Sequence, residues 1–339
     1  MENNSRKRWK ILGLGVVTGT LAFFPLVFSE YDTSILAKFI VFGIFALSLN
    51  LIWGYSGIVN FGHAIFFGGG AYVTGIVLKT LPIAGATYIA IVAAIVLTML
   101  SAAILGYFLF YGRVSGVFFG VVTLALTGVV QSIVIVSSSV TGGMNGLFAF
   151  PAPRLTFPGL PAIDLSRPRA AYYLALAAAI VCFVIARAIV RSDFGRVLRG
   201  IQENEDRIEF LGYNVPLIKL TIFTIACGMA GFAGALYVPV GFISPDLVSI
   251  ERSAAVLVWV AVGGRGTLTG AFVGALVVNY LQTLLSDQFV VLWLLFIGVL
   301  SILVVLFWPD GIVGSLENWR VPAAIARLLE RKGGHHAAD

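Results

Sequence analysis

Long apolar runs separated by short polar stretches dominate the chain from its first tens of residues to its last. The runs cover 11–28, 35–53, 64–78, 84–111, 115–136, 171–190, 217–239, 267–285 and 290–308, with a shorter one at 253–262. A helix that spans a membrane needs about 20 apolar residues, whereas the strands of a membrane barrel alternate apolar and polar residues. The pattern therefore predicts an all-α, polytopic transmembrane helix bundle of about nine or ten helices.

The composition is typical of a protein that is embedded in a membrane. Hydrophobic residues make up 59% of the 339 residues and charged residues only 11%, against about 25% charged residues in soluble proteins. The net charge of +6 is explained by the enrichment of basic residues in cytoplasmic segments of membrane proteins. We therefore expect membrane lipid around the chain and no nucleic acid partner.

The basic residues also predict an orientation. We place the N-terminus in the cytoplasm and interpret 11–28 as a spanning helix that stays, because its apolar run is longer than that of a signal peptide and no A-x-A site follows. Counting crossings then puts 191–216 inside and 137–169 outside. The predicted parts are a cytoplasmic N-terminus (1–10), a transmembrane domain (11–316) and a cytoplasmic C-terminal tail (317–339).

Two glycine-punctuated stretches adjoin the short apolar runs. One is SGIVNFGHAIFFGGG (56–70) and the other is GGRGTLTGAFVGALVVN (263–279), and their likeness indicates two related halves. Irregular backbone within a membrane occurs only where protein buries it or a cavity adjoins it. The stretches are interpreted either as helix breaks along a translocation path or as close-packing glycines with hydrogen-bonded neighbours. The candidate helix-break glycines are Gly57, Gly62, Gly68, Gly69, Gly70, Gly263, Gly264 and Gly266.

Polar residues within the predicted spans are candidates for lining that path. Thr123, Thr127 and Gln131 are four residues apart and share one helix face, which favours either a cavity or a seam between helices. The full set of path candidates is Tyr55, Ser56, Asn60, His63, Thr123, Thr127, Gln131 and Asn279. None of them carries a formal charge at neutral pH, so the set favours a small neutral polar substrate, and a zwitterion remains an alternative.

The inner segment 191–216 has a helical, amphipathic pattern. Asp193 is predicted to cap its helix, and Pro216 marks the start of the next span. An amphipathic helix at a cytoplasmic surface suits a groove on a partner protein, whereas the alternative is a solvated linker. The candidate coupling residues are Arg196, Arg199, Glu203, Glu205, Asp206 and Arg207.

Motifs for enzyme chemistry are missing from the sequence. It contains no G-x-x-x-x-G-K-[ST] phosphate loop. Two of the three histidines, His335 and His336, lie in the tail, and Cys182 and Cys227 both lie in apolar runs. The sequence therefore predicts no catalytic residues, no metal site and no cofactor held by this chain.

Several segments resemble one transporter family. They are NLIWGYSGIVNFGHAIFFGGGAY (50–72), TGGMNGL (141–147), GRVLRGIQENEDRIEFLGYNV (195–215), KLTIFTIACGMAGFAGALYVPVGFISP (219–245), VGGRGTLTGAFVGALVVN (262–279) and LFWPDGIVGSL (306–316). Together they resemble the permease subunits of ABC importers for branched-chain amino acids and urea. FLGYNV, LYVP followed by ISP, and WVAVGGRGTLTGA are more similar to the urea branch.

The resemblance implies a subunit of the cell inner membrane that works by alternating access. Its implied partners are a second, homologous permease chain, two ATP-binding cassette subunits that bind ATP and Mg²⁺, and an extracytoplasmic substrate-binding protein. The segment 191–216 would contact the ATPase, and the turn-rich 137–169 would contact the binding protein. Urea or a short amide is the expected substrate, and a branched-chain amino acid is the alternative. A stand-alone channel or a secondary carrier is disfavoured by the long cytoplasmic segment.

Overall fold

The structure is a computed structural model that describes residues 19, 21–83, 85–156, 162–288, 298–299 and 311–318. Its α-helices are α1 Glu30–Ser56, α2 His63–Thr80, α3 Ala86–Tyr111, α4 Gly116–Val136, α5 Ser138–Thr141, α6 Pro168–Arg191, α7 Asp193–Glu203, α8 Glu205–Phe210, α9 Val215–Tyr237, α10 Ile250–Gly263, α11 Leu268–Gln288 and α12 Gly311–Asn318. The all-α helical bundle predicted from the sequence is confirmed.

Six helices in the described residues are long and apolar enough to cross a membrane, namely α1, α3, α4, α6, α9 and α11. The two predicted short segments are also helices, with 18 residues in α2 and 14 in α10. The predictions for 1–10, for half of 11–28, for 290–308 except 298–299, and for 319–339 lie outside the described residues.

Helix α1 forms the centre of the bundle, because it is apolar on every side. Of its most apolar 18-residue window, 83% is buried, against 28% for α3 and 22% for α4. A helix that is apolar all round belongs inside a bundle, and α1 packs against α6, α9, α10 and α11. The apolar outer faces of α3 and α4 are left for lipid or for another chain.

Helices α2 and α9 approach closely through glycines. A Cβ atom on Gly70 would meet the backbone of Gly231, 2.7 Å from its carbonyl carbon, and one on Gly234 would lie 2.9 Å from the carbonyl carbon of Phe67. Small residues permit such contacts between membrane helices. Gly68, Gly69 and Gly70 thus lie inside an unbroken α2, and the predicted helix break at these three glycines is wrong.

The described residues of the segment 137–169 contain little regular structure, as its glycines and prolines predicted. It comprises the single turn α5, a 3-10 turn at Gly143–Asn145, and two short strands, β1 Arg154–Leu155 and β2 Ile163–Asp164, which pair antiparallel. A hydrogen bond from the Ser166 amide is the main cause that lowers the pKa of Asp164. This acid is therefore negatively charged at neutral pH.

The segment 192–210 forms two short helices, each with a side-chain cap. The Ser192 hydroxyl, and not the predicted Asp193, caps α7 by accepting from the Gly195 amide at 3.4 Å. The Asn204 side chain caps α8, accepting from the Arg207 amide at 2.9 Å. Pro216 lies in the first turn of α9, as predicted.

Candidate functional site

The first helix break is the segment 57–62 between α1 and α2. Gly57 ends α1 with a φ of 75°, a value that favours glycine. The Asn60 side-chain oxygen accepts from the Gly62 amide at 2.9 Å. The Phe61 amide donates to Thr123 Oγ1 at 3.2 Å, and the Thr127 hydroxyl donates to the Phe61 carbonyl at 3.4 Å. The helical backbone is interrupted here, between α1 and α2, and α4 supplies hydrogen-bond partners for the interrupted segment. Its place along a translocation path stays a prediction.

His63 begins α2 and is fully buried. Its Nδ1 lies 3.2 Å from the Asn60 Nδ2, and its Nε2 lies 2.8 Å from the Ser48 hydroxyl oxygen. The Ser48 hydroxyl donates to the Phe45 carbonyl at 2.7 Å. Because the Asn60 NH₂ is only a donor, Nδ1 accepts and the proton is assigned to Nε2. The neutral ring thereby has both nitrogens satisfied, and it stacks on Phe45 at 5.4 Å.

A third helix reaches the same junction. Ser253 of α10 accepts a hydrogen bond from the Ala64 amide at 3.2 Å and is fully buried. The first break is consequently fixed by side chains of α1, α4 and α10. These are the contacts expected if the polar residues join helices, and contact of Asn60 or His63 with a substrate stays a prediction.

The second break is the segment 264–267 between α10 and α11. Gly264 and Gly266 have φ values of 126° and 79°, which explains glycine at both positions. The buried Asn50 of α1 donates to the Thr267 carbonyl at 2.9 Å and accepts from the Gly266 amide at 3.0 Å. A Cβ atom on Gly54 would lie 2.6 Å from the Gly266 nitrogen, so the loop rests directly on α1. The helical backbone is likewise interrupted between α10 and α11, with Gly263 as the last residue of α10.

The remaining path candidates are Tyr55 and Ser56, which directly precede the first break, and Gln131 and Asn279 on α4 and α11. Ser56 donates to the Ile52 carbonyl at 2.6 Å, and Asn279 donates to the Ala275 carbonyl at 2.7 Å, in each case within its own helix. Tyr55 is buried under the Arg199 guanidinium, whose centre is 5.5 Å from the ring. Gln131 is part-exposed on α4. Their contact with a substrate is untested and stays a prediction.

Sequence reasoning missed a charged cluster around the Phe42 ring of α1. Lys38 of α1 and Arg252 of α10 both lie over the Phe42 ring, at 5.9 and 5.4 Å from its centre. Asp246 pairs with Arg252 at 2.5 Å. A signal was present, because Lys38 is the only charged residue in the apolar run 35–53 and an intramembrane charge is by default a functional candidate.

The candidate coupling residues include both packed and exposed side chains. Glu205 pairs with Lys219 of α9 at 2.5 Å, and the Lys219 side chain is only 9% exposed. Arg196 pairs with Asp193 on its own helix. The others, Arg199, Glu203, Asp206 and Arg207, are exposed. The segment ends in the apolar residues Phe210 and Leu211, which are 91% and 67% exposed.

Comparison with known proteins now decides the family. Residues 33–305 match the family described as "Branched-chain amino acid transport system / permease component". The chain belongs to this permease family. It is accordingly a multi-pass inner-membrane subunit of an ABC importer and not an enzyme. The described residues contain no cluster of side chains that would hold a metal ion.

Individual relatives are also described as branched-chain amino acid transport permeases. The chain is 28% identical to the high-affinity branched-chain amino acid transport system permease protein LivM of Escherichia coli, across 85% of this chain and 71% of that protein. It is 27% identical to LivM of Salmonella typhimurium, with the same coverage. It is 24% identical to a probable LivM of Methanocaldococcus jannaschii, across 82% and 92% of the two chains. No solved structure gives a significant match.

Proposed function

We propose that the chain forms the translocation path for branched-chain amino acids in an ATP-driven importer. The family match over 33–305 carries this proposal. The named relatives support amino acids over urea, because each is described as a branched-chain amino acid permease. The finer resemblance to urea permeases rested on short segments and finds no support in these relatives.

The path runs beside the two breaks and works by alternating access. Discontinuous helices are a common way to build a substrate site inside a transporter. Here both breaks are tied to the central helix α1, the first through Ser48 and His63 and the second through Asn50. A tilt of α1 would move both loops together. This arrangement supports a two-state path, because its polar contacts link separate helices.

Partner subunits supply the energy and the substrate. Two ATP-binding cassette subunits bind ATP and Mg²⁺ and contact α7 and α8, whose exposed acids and Phe210 offer a mixed charged and apolar surface. A second permease chain completes the membrane core, and a binding protein docks on 137–169. On the predicted topology the N- and C-termini lie in the cytoplasm.

Dependence on ATP hydrolysis tests this mechanism. The complete complex is reconstituted in proteoliposomes, with leucine-loaded binding protein outside and ATP inside. We expect labelled leucine to accumulate with ATP and not with a non-hydrolysable analogue. Equal uptake under both conditions would favour a channel or a secondary carrier. An ATPase-inactive variant of the partner subunit provides the matched control.

A further inference from the structure

The charged cluster packs against the first half of a helix that is long enough to cross the membrane. Phe42 is the thirteenth of the 27 residues of α1, and Lys38 is roughly 12 Å along the helix axis from Glu30 at 1.5 Å per residue. Arg252 and Asp246 reach this level from the segment that follows α9. Burying charges at such depth is costly, and membrane proteins keep them where they act.

The charges in the cluster do not balance. Lys38 and Arg252 are cations, and Asp246 pairs with Arg252 alone. Lys38 makes no ion pair within the part of the chain that the structure describes. The Arg252 Nε–H is buried and has no hydrogen-bond partner there. The neighbouring acid, Glu251, is exposed and forms no ion pair among the described residues. One net positive charge and one unused donor therefore remain.

The surroundings are aromatic on one side and open on another. The Phe42 ring lies 5.6 Å from the Tyr237 ring and 5.0 Å from the Trp259 ring. Lys38 Nζ is 5.7 Å from the Tyr237 ring centre. The Asp246 side chain is 57% exposed and that of Arg252 is 21% exposed. The charged side chains of Asp246 and Arg252 are thus open to solvent, whereas the three rings are buried.

We propose that Lys38 and Arg252 bind the α-carboxylate of the amino acid substrate during its passage. The carboxylate accepts hydrogen bonds from Lys38 Nζ and from the part-exposed Arg252 guanidinium. Asp246 accepts from the substrate ammonium group, so that each charge of the zwitterion meets an opposite charge. The inference rests on the proposed function, because a neutral substrate such as urea has no carboxylate to accept these hydrogen bonds.

Direct ligand binding tests the assignment. Saturation-transfer difference NMR is recorded on the purified complex in detergent, without binding protein, with millimolar leucine or with leucinamide, which lacks the carboxylate. We expect transfer to leucine methyl protons and much weaker transfer with leucinamide. Arg252→Gln and Lys38→Gln should each weaken leucine binding about tenfold or more, since each removes a charged hydrogen bond. Arg252→Lys should restore part of the binding.

Lys79→Gln provides the matched control, because Lys79 is an exposed cation near the end of α2 and the change in charge is the same. Size-exclusion profiles establish that each variant complex assembles. The inference is overturned if leucine binds the Gln variants as well as the unsubstituted complex, if leucinamide binds as well as leucine, or if the unsubstituted complex shows no transfer to leucine. The Gln variants could bind leucine normally and lose the ATP hydrolysis that the loaded binding protein stimulates. That result would instead assign Lys38 and Arg252 to contact with an acidic side chain of the binding protein. Failure of leucine uptake by the unsubstituted complex would count against the proposed function itself.

Discussion

Asn50 forms two hydrogen bonds with the backbone of the second helix break. Replacing it with leucine should therefore lower the free energy of unfolding. The Gly266 amide has no other acceptor among the described residues, and leaving this part-buried N–H unpaired costs about 1–2 kcal/mol. The Thr267 carbonyl keeps its bond from the Ala271 amide at 3.3 Å, so loss of the Asn50 bond there costs about 0.5–1.5 kcal/mol. The expected fall in the free energy of unfolding for Asn50→Leu is about 2–3 kcal/mol.

Asn279→Leu is the matched control for this prediction. Among the described residues, the Asn279 side-chain amide bonds only the Ala275 carbonyl of its own helix, so this change should cost less than about 1 kcal/mol. Equilibrium unfolding of both variants by SDS in mixed micelles measures the two free energies. Equal losses for the two variants, or none for Asn50→Leu, would refute the assignment of Asn50 as the residue that fixes the loop.

Three further predictions follow from burial and packing. Gly70→Ala should destabilise the chain by at least about 1–3 kcal/mol through overpacking against α9, whereas Gly69→Ala, whose Cβ atom would meet only one atom at 4.0 Å, should be neutral in the same unfolding measurement. Reversing the exposed Glu203 and Asp206 to lysine should leave assembly intact and abolish leucine-dependent ATP hydrolysis; normal hydrolysis would remove the coupling claim. Asn60→Leu should reduce uptake in proportion to a loss of thermal stability, because its amide fixes the first break; loss of uptake with unchanged stability would instead favour contact with the substrate.

Local sequence was sufficient to locate the two breaks but not to separate them from packing glycines. Gly57, Gly264 and Gly266 adopt positive φ values that most other residues avoid. Gly70 looks the same in sequence but lies in a regular helix. What distinguishes it is Gly231 on the facing helix, which is distant in the chain. The apolar pattern predicted the helices correctly because it depends only on residues that are neighbours in the sequence.

For the polar residues too, local spacing predicted the shared helix face but not the contacts between helices. The spacing of Thr123 and Thr127 correctly predicted a shared face. It did not reveal that this face bonds the backbone of Phe61, because that contact depends on how α4 packs. Lys38 was visible as a lone charge in an apolar run, whereas its neighbour Arg252 comes from a helix more than 200 residues later. Only the folded chain brings their charges together.

Uptake of labelled leucine and labelled urea at low concentration, by cells with and without this chain, tests the central claim most directly. We expect deletion to abolish leucine uptake, and unlabelled valine, but not excess urea, to compete for it in the intact cells. Urea uptake should be the same in both strains. Loss of urea uptake on deletion, with leucine uptake unchanged, would contradict the proposed substrate and restore the urea interpretation.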